Sequence, residues 1–296
     1  MLVHRTTRPR PKDPDPSVFA RVRPAFVTPR AGLSQLTVTW VGHSSLLIQL
    51  SGLNILTDPM WSERASPVRF AGPRRWVPPG IAFEDLPPLD VVVESHNHYD
   101  HLDSKTVRRL ARAHPQASWI VPLGLASFVQ QRGAPADAVA ELDWWGERKV
   151  GPLRIGATPA QHFSSRGFGD RGDTLWCGFA FAGANGQRVY FAGDSGYHPE
   201  FGAIGERYGP FDVALMPIGA YEPRWFMRYV HMNPEEAVAA FRALKARVMV
   251  PIHWGTFKLT DEAMDEPAIR ARAAWDAAGL PSSGYRQLAH GETLTL

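Results

Sequence analysis

Cysteine is nearly absent from this chain. Cys177 is the only one in 296 residues, so no internal disulfide can form, and a reducing compartment suits the protein. Long apolar runs are missing too: nothing approaches the roughly 18 consecutive apolar residues that a spanning helix needs. The first thirty residues are basic but have no apolar segment of the kind that directs secretion. The expectation is a cytoplasmic protein, neither membrane-spanning nor exported. An excess of one charge is also lacking, since 32 Lys and Arg against 29 Asp and Glu leave only +3, much of it between Arg5 and Arg30. The body therefore offers no broad basic face, and no nucleic-acid partner is expected.

Apolar material is present in ordinary amount, 44%, enough over this length for a substantial core. Aromatics are abundant, with 10 Trp and 15 Phe, which leaves peripheral contact with the inner membrane face open. Residues 1–35 hold Pro9, Pro11, Pro14, Pro16, Pro24 and Pro29 among many charges. Such a stretch disfavours helix and sheet and is read as an arm, loose or wrapped on the body. Residues 36–296 are read as one domain.

Within that domain the pattern is of short strands and helices. Residues 36–42, 45–50 and 53–58 alternate as strands joined by hairpins, and 90–95 form a buried strand followed by a helix over 104–113. Further strands are expected at 119–122, 153–158, 176–181 and 188–192, the last two joined by Asn185-Gly186, a strong hairpin signal. A strand at 211–217, a helix from Asn233 to Ala246 with Pro234 in its first turn, a strand at 247–252 and a helix over 267–278 follow. The two halves echo each other: a turn, an apolar strand and an aspartate occur at Gly52 to Asp58 and again at Gly186 to Asp194. Strands in this proportion, with helices after them, suit a two-sheet core covered on both outer faces.

The chemistry is concentrated in His96-Asn97-His98-Tyr99-Asp100-His101, four metal-capable side chains within six residues, directly after a buried strand. Imidazole and carboxylate are the usual nitrogen and oxygen ligands of zinc. His162, Asp194 and His253 each follow or end an expected strand, and strand ends gather at one rim of a sheet core. Singly, they would read as a loop histidine, a turn carboxylate and a satisfied core histidine. Together with the first cluster they make seven ligands. A pair of metals lowers the pKa of water and stabilises the attacking and leaving oxygens of a displacement at phosphorus. No Ser-His-Asp or Cys-His arrangement competes, since Cys177 reads as a small buried hydrophobe.

The pattern His-x-His-x-Asp-His, followed by widely spaced His, Asp and His, resembles the signature of the metallo-β-lactamase superfamily. Within it the chain is most similar to the N-acylphosphatidylethanolamine-hydrolysing phospholipase D family and its bacterial relatives. The supporting stretches run from about Leu36 onward and include Trp40-Val-Gly-His43-Ser44, Leu56-Thr-Asp58-Pro59, Tyr190-Phe-Ala-Gly-Asp-Ser-Gly-Tyr197, His231-Met-Asn-Pro-Glu-Glu-Ala237 and Pro251-Ile-His-Trp-Gly-Thr-Phe257. The resemblance implies an α+β fold, the four-layer αββα sandwich, with the metals at one edge. It implies one metal on His96, His98 and His162, a second on Asp100, His101 and His253, and Asp194 bridging both. Two zinc ions are expected, with iron or manganese as alternatives.

Asp100 and His231 are the candidate catalytic residues, His231 because it opens the helix at Asn233 and would reach a phosphate oxygen or leaving group. His43 and Asp58 are read as second-layer contacts to the ligands. His4, His114, His198 and His290 are read as surface, and Lys105, Arg108, Arg109 and Arg112 as a solvated helix face. Trp225, Phe226 and Met227, flanked by Arg224 and Arg228, are expected at the site mouth, offering apolar surface to acyl chains and cations to phosphates. The leading expectation is a phosphodiesterase of phospholipase D type acting on N-acylphosphatidylethanolamine or a related phospholipid. The same metals could instead serve a lactone, thioester or β-lactam, or bind without turnover. A homodimer is left open, and a tRNA-processing nuclease is disfavoured for want of a basic arm on the body.

Overall fold

A computed structural model describes residues 11–167 and 169–296. The strands are β1 (Thr37–Gly42), β2 (Ser45–Leu50), β3 (Leu53–Thr57), β4 (Val91–Val93), β5 (Ser118–Pro122), β6 (Val139–Leu142), β7 (Glu147–Val150), β8 (Leu153–Thr158), β9 (Gly178–Ala182), β10 (Arg188–Phe191), β11 (Phe211–Pro217), β12 (Ala246–Ile252) and β13 (Thr293–Thr295). The helices are α1 (Ser104–Ala113), α2 (Ala126–Gln130), α3 (Glu200–Tyr208), α4 (Arg224–Met227), α5 (Pro234–Ala243) and α6 (Glu266–Ala277). One sheet runs β13-β1-β2-β3-β4-β5-β6 and the other β12-β11-β10-β9-β8-β7.

Strand alternation builds the layers. Successive side chains point to opposite faces of a strand, and here both faces are apolar. Val38, Trp40, Leu46, Ile48, Val91 and Val93 meet Ile155, Phe179, Phe191, Val213, Leu215 and Val250 between the sheets. The alternate residues Leu47, Leu56, Val92 and Trp119 pack under Val107 and Leu110 of α1 and Val129 of α2. Ala214, Met216 and Met249 pack under Phe201 of α3, Phe241 of α5 and Trp275 of α6. The result is the expected αββα sandwich.

Each half repeats one plan. Strands β1, β2 and β3 pair antiparallel, and β4 and β5 then add in parallel. Strands β8, β9 and β10 likewise pair antiparallel before β11 and β12 add in parallel. Helix α1 joins β4 to β5, as α5 joins β11 to β12. From these pairings, β1, β3 and β4 end at the same edge of the first sheet, and β8, β10, β11 and β12 at the same edge of the second. The sequence expectation of strands and helices is met at these elements, with boundaries moved by a few residues. Helix α5 ends at Ala243 because Lys245 takes the left-handed conformation (φ 57°) and β12 begins at Ala246.

Residues 11–35 wrap the body. Asp13 accepts from Lys258 Nζ at 2.6 Å and from the backbone N–H of Met264, and Phe19 is buried with Val77 and Met264 against Trp76 and Trp254. Gln49 exchanges hydrogen bonds with the backbone of Val27. This wrapping corrects one expectation: His290 is buried, since its backbone pairs with Ala20 and Val22 of the arm and its ring lies tilted against Trp40 with centroids 4.3 Å apart. His198 is buried as well, 4.2 Å from the Phe201 ring, and His114 is half-buried, its Nδ1 accepting from the Leu89 N–H. His4 lies outside the described residues. Among the described residues no helix is long and apolar enough to cross a membrane.

Candidate metal centre

The edge at which the parallel strands end collects the chemistry. His43 lies in the β1–β2 turn, Asp58 after β3, His96 to His101 after β4, His162 after β8, Asp194 after β10, and His253 after β12. Asp58, His43 and His253 hold left-handed backbone at φ 33°, 56° and 62°. That conformation is uncommon for residues with a Cβ, though Asp and His tolerate it better than most, and it bends each chain sharply inward at the rim.

The structure brings the seven expected ligands together. His96 Nε2 lies 2.9 Å from His98 Nδ1, which lies 3.1 Å from His162 Nε2. The far nitrogens decide what these atoms can do. His162 Nδ1 is 2.9 Å from the Val230 carbonyl, which only accepts, so its proton sits there and Nε2 presents a lone pair. His96 Nδ1 faces Ser95 Oγ, whose own proton goes to Asp58 at 2.5 Å; His96 must therefore donate from Nδ1 and also present Nε2. Burial pushes both rings well below the ordinary histidine value, aided at His96 by neighbouring imidazoles and opposed at His162 by Asp194; it lowers His98 too. His96 and His162 thus turn neutral lone pairs toward His98 Nδ1, and three such imidazoles are a donor set for a cation.

The second group is built on carboxylates. Asp100 Oδ2 lies 3.4 Å from His101 Nε2 and 3.5 Å from His253 Nε2. Asp194 Oδ2 lies 3.1 Å from each of those nitrogens, and 3.9 and 3.8 Å from His96 and His162 Nε2, between the two groups. His101 Nδ1 is 2.6 Å from Asp58 Oδ2, which fixes that proton and turns Nε2 to the site. Both His101 Nε2 and His253 Nε2 are buried without a hydrogen bond, as is Asp194 Oδ1. Burial opposes charge on His101 and His253, but Asp194 and Asp100 outweigh it, raising His101 well above its ordinary value and His253 to about 9. Burial is likewise outweighed at Asp100 and Asp194, which the histidines hold well below the carboxylate range. Protons retained so tightly by paired carboxylates mark where a metal cation would take their place. The residues thus form a cluster able to bind metal.

Two further histidines join the edge. His231 Nε2 is 4.0 Å from Asp194 Oδ2, close enough for His162, Asp194 and His231 to form a donor group of their own. Burial, eased by Asp194, takes its ring down to about 4, and its Nδ1 has no partner among the described residues. His43 Nε2 lies 2.8 Å from Asp100 Oδ2, so it contacts a ligand, as does Asp58. Sequence reasoning passed over Glu94, fully buried, with both oxygens unpartnered among the described residues and its carboxyl pushed well above the ordinary value by burial and then by Asp58. An acid inside the apolar run 90–95 was its signal.

Helix α4 stands over this edge, because Tyr229 and Val230 carbonyls accept from Gln161 Nε2 and His162 Nδ1. Trp225 and Phe226 are 61% and 60% exposed, as expected of a site mouth. Arg224 corrects the expectation that it offers charge to phosphate. Its guanidinium donates to both oxygens of Glu236 at 2.9 Å and to the His231 carbonyl, so its charge is spent on bracing the His231 loop. Arg228 is exposed and lies over the Tyr229 ring.

Residues 53–254 match the sequence profile of the Beta-lactamase superfamily domain. The N-acyl-phosphatidylethanolamine-hydrolyzing phospholipase D 1 of Caenorhabditis elegans is 46% identical over 254 residues, 82% of this chain and 71% of its own length. The mitochondrial N-acyl-phosphatidylethanolamine-hydrolyzing phospholipase D of Saccharomyces cerevisiae is 36% identical over 77% of this chain and 49% of its own length. A solved metallo hydrolase from the archaeon Ignicoccus hospitalis superposes with a TM-score of 0.64 at 26% identity, covering 89% of this chain and 99% of that one. With the profile spanning more than half of the sequence and the fold agreeing with it, the chain belongs to the metallo-β-lactamase superfamily as a metal-dependent hydrolase, homologous to the N-acylphosphatidylethanolamine-hydrolysing phospholipases D.

Proposed function

We propose that this protein is a dinuclear phosphodiesterase of phospholipase D type that releases phosphatidic acid and N-acylethanolamine from N-acylphosphatidylethanolamine. In this reading residues 36–296 are the hydrolase domain and 1–35 an appended arm. His96, His98 and His162 hold one ion, Asp100, His101 and His253 the other, Asp194 is shared, and zinc is the expected metal. A bound pair of divalent cations supplies acidified water and compensates charge on phosphoryl oxygens.

The chain's own residues do the rest. Asp58, Ser95 and the Val230 carbonyl fix the protons of three ligand rings, so that the donor atoms are set before any ligand arrives. His231, neutral and with Nδ1 free, hydrogen-bonds the phosphoryl or leaving oxygen. Arg224 positions it through the His231 carbonyl. Trp225 and Phe226 lay apolar surface beside the edge for acyl chains.

The observation that carries the phospholipid reading is this exposed aromatic pair tied through Val230 to a donor histidine, in a chain whose relatives bear that activity in their names. The test is mass spectrometry of products from metal-replete protein offered phospholipids, lactones and thioesters. Phosphatidic acid with N-acylethanolamine is expected. Opening of lactones or cleavage of thioesters, with every phospholipid untouched, would replace this reading with hydrolysis at carbon.

A further inference from the structure

A second exposed apolar surface lies on the loop that follows Asp58. After Asp58 the chain leaves the first sheet in a long loop that returns to the body at Trp76 and Val77. It carries Phe70, 84% exposed, and Val68, also exposed, with Arg69 between them. Nothing in the described residues covers this pair, and the loop is held in place by the Glu63–Arg74 ion pair and by Arg64 Nη1 on the Gly72 carbonyl.

Beneath the loop is a cavity of about 340 Å³, walled on its far side by the start of α1, by Tyr99 and by Arg166. Tyr99 stands between His98 and Asp100, so the cavity adjoins the metal edge. Its lining holds five cations, Arg64, Arg69, Lys105, Arg108 and Arg166, against Glu63 and Asp103. Both carboxylates are engaged by other groups, although Asp103 still lends its charge to Arg166. Glu63 is taken by Arg74, and Asp103 accepts from Ser62 N, Lys105 N and Thr106 Oγ1. Arg166 donates to the Asn97 and Leu102 carbonyls and feels the charges of Glu94, Asp103 and Asp100, whereas Arg69, Lys105 and Arg108 form no ion pair among the described residues. Arg132, close behind, is held below its ordinary value by burial first and then by repulsion from Arg108 and Arg166. Like charges crowded in excess of the carboxylates beside them favour an anion. A solvated helix face would explain Lys105 and Arg108 alone. It does not explain why they converge with Arg69 under two exposed apolar side chains.

We infer that this loop and cavity dock the protein on an anionic bilayer. Val68 and Phe70 enter the acyl boundary, and Arg69, Lys105 and Arg108 take the phosphates of anionic headgroups that are not the substrate. The inference rests on the phospholipid reading only for its purpose, because docking is measured without turnover. A cavity of this size suits a headgroup, within the roughly 300–1,000 Å³ usual for small-molecule sites.

The test is co-sedimentation of the metal-loaded full chain with vesicles of phosphatidylcholine alone and of phosphatidylcholine with phosphatidylglycerol, at low and high salt. Binding is expected on the mixed vesicles, weakened by salt. The triple change Arg69→Gln, Lys105→Gln, Arg108→Gln should weaken it about 100-fold, and Phe70→Ser about 10-fold, with metal content and circular dichroism unchanged. Equal binding to neutral vesicles, or binding untouched by the triple change, overturns the proposal. So does loss of binding in Trp225→Ser but not in Phe70→Ser, or tighter binding to a single-stranded oligonucleotide than to anionic vesicles. Intact docking in a protein that turns over no phospholipid would support the docking surface and remove the substrate reading.

Discussion

Strands β1 to β5 and β8 to β12 follow the same plan, yet the aspartates that leave them at matching places keep different company. Asp194, after β10, extends Oδ2 to within 3.1 Å of His101 and His253 Nε2 and leaves Oδ1 without a partner among the described residues. Asp58, after β3, spends its carboxylate on Ser95 N, Ser95 Oγ and His101 Nδ1. What differs is the loop beyond the next strand. After β4 comes His96 to His101, packed with donor atoms, and Asp58 is the anchor for that loop. After β11 comes a longer excursion through α4 that supplies only His231, and Asp194 is left to face the histidine cluster. One frame thus yields a carboxylate inside the histidine cluster and a carboxylate behind it, by what each loop leaves unsatisfied.

The largest expected break of this pairing is Asp194→Asn, which removes a shared anion from between both groups. Metal content and turnover should fall more than 100-fold, beyond the roughly 10–100-fold usual for outer partners. Atomic absorption alongside rate measurement decides it, and retention of both metals would make the two aspartates equivalent after all. Next is His231→Gln, the one donor of the β11 loop. Turnover should drop by about 10²- to 10⁴-fold, the range of general acid–base groups, while metal content holds. A parallel loss of metal would move His231 among the ligands.

Asp58→Asn should act more gently and through tautomer. An amide NH₂ facing His101 Nδ1–H cannot accept its proton, so the ring's proton moves toward Nε2 and the donor atom is lost. Zinc affinity should weaken about 10- to 100-fold; competition with a chelator measures it, and an unchanged affinity would deny Asp58 its anchoring part. The smallest effect compares the helices of the two halves. Asn233 caps α5 in a reciprocal capping box with Glu236, whereas Asp103 caps α1 and also holds Ser62 and Thr106. Asn233→Ala should cost about 1 kcal/mol in denaturant unfolding, and Asp103→Ala more. Equal losses would mean that the extra bonds of Asp103 add nothing.

Much of this was legible because the information is local. Alternating apolar strands, the Asn185-Gly186 turn, the Asn233-Pro234 helix start and the histidine-dense loop each declare themselves within a few residues. Helix α3 did not, since Gly202 and Gly205 weaken its own propensity. It forms because a bare Gly205 lets it approach α5, where a Cβ would lie 2.4 Å from the Ala243 carbonyl. Strand β7, with Glu147, Arg148 and Lys149 exposed, has no apolar face to announce it. His290 and Arg224 were misplaced for a different reason. Their partners, the arm at Ala20 and Val22 and the carboxylate of Glu236, are brought to them only by the folded chain.

The left-handed backbone at His43, Asp58 and His253 has one more consequence, for how the edge can change over evolutionary time. Positions with φ of 56°, 33° and 62° admit glycine freely, Asn, Asp and His at modest cost, and β-branched residues hardly at all. The residues the backbone tolerates there are largely those that carry nitrogen and oxygen donors. At position 253 an imidazole can therefore give way to a carboxylate or an amide without the chain being rebuilt. The edge is thereby biased to trade one metal preference for another sooner than to lose its donors to a valine or an isoleucine.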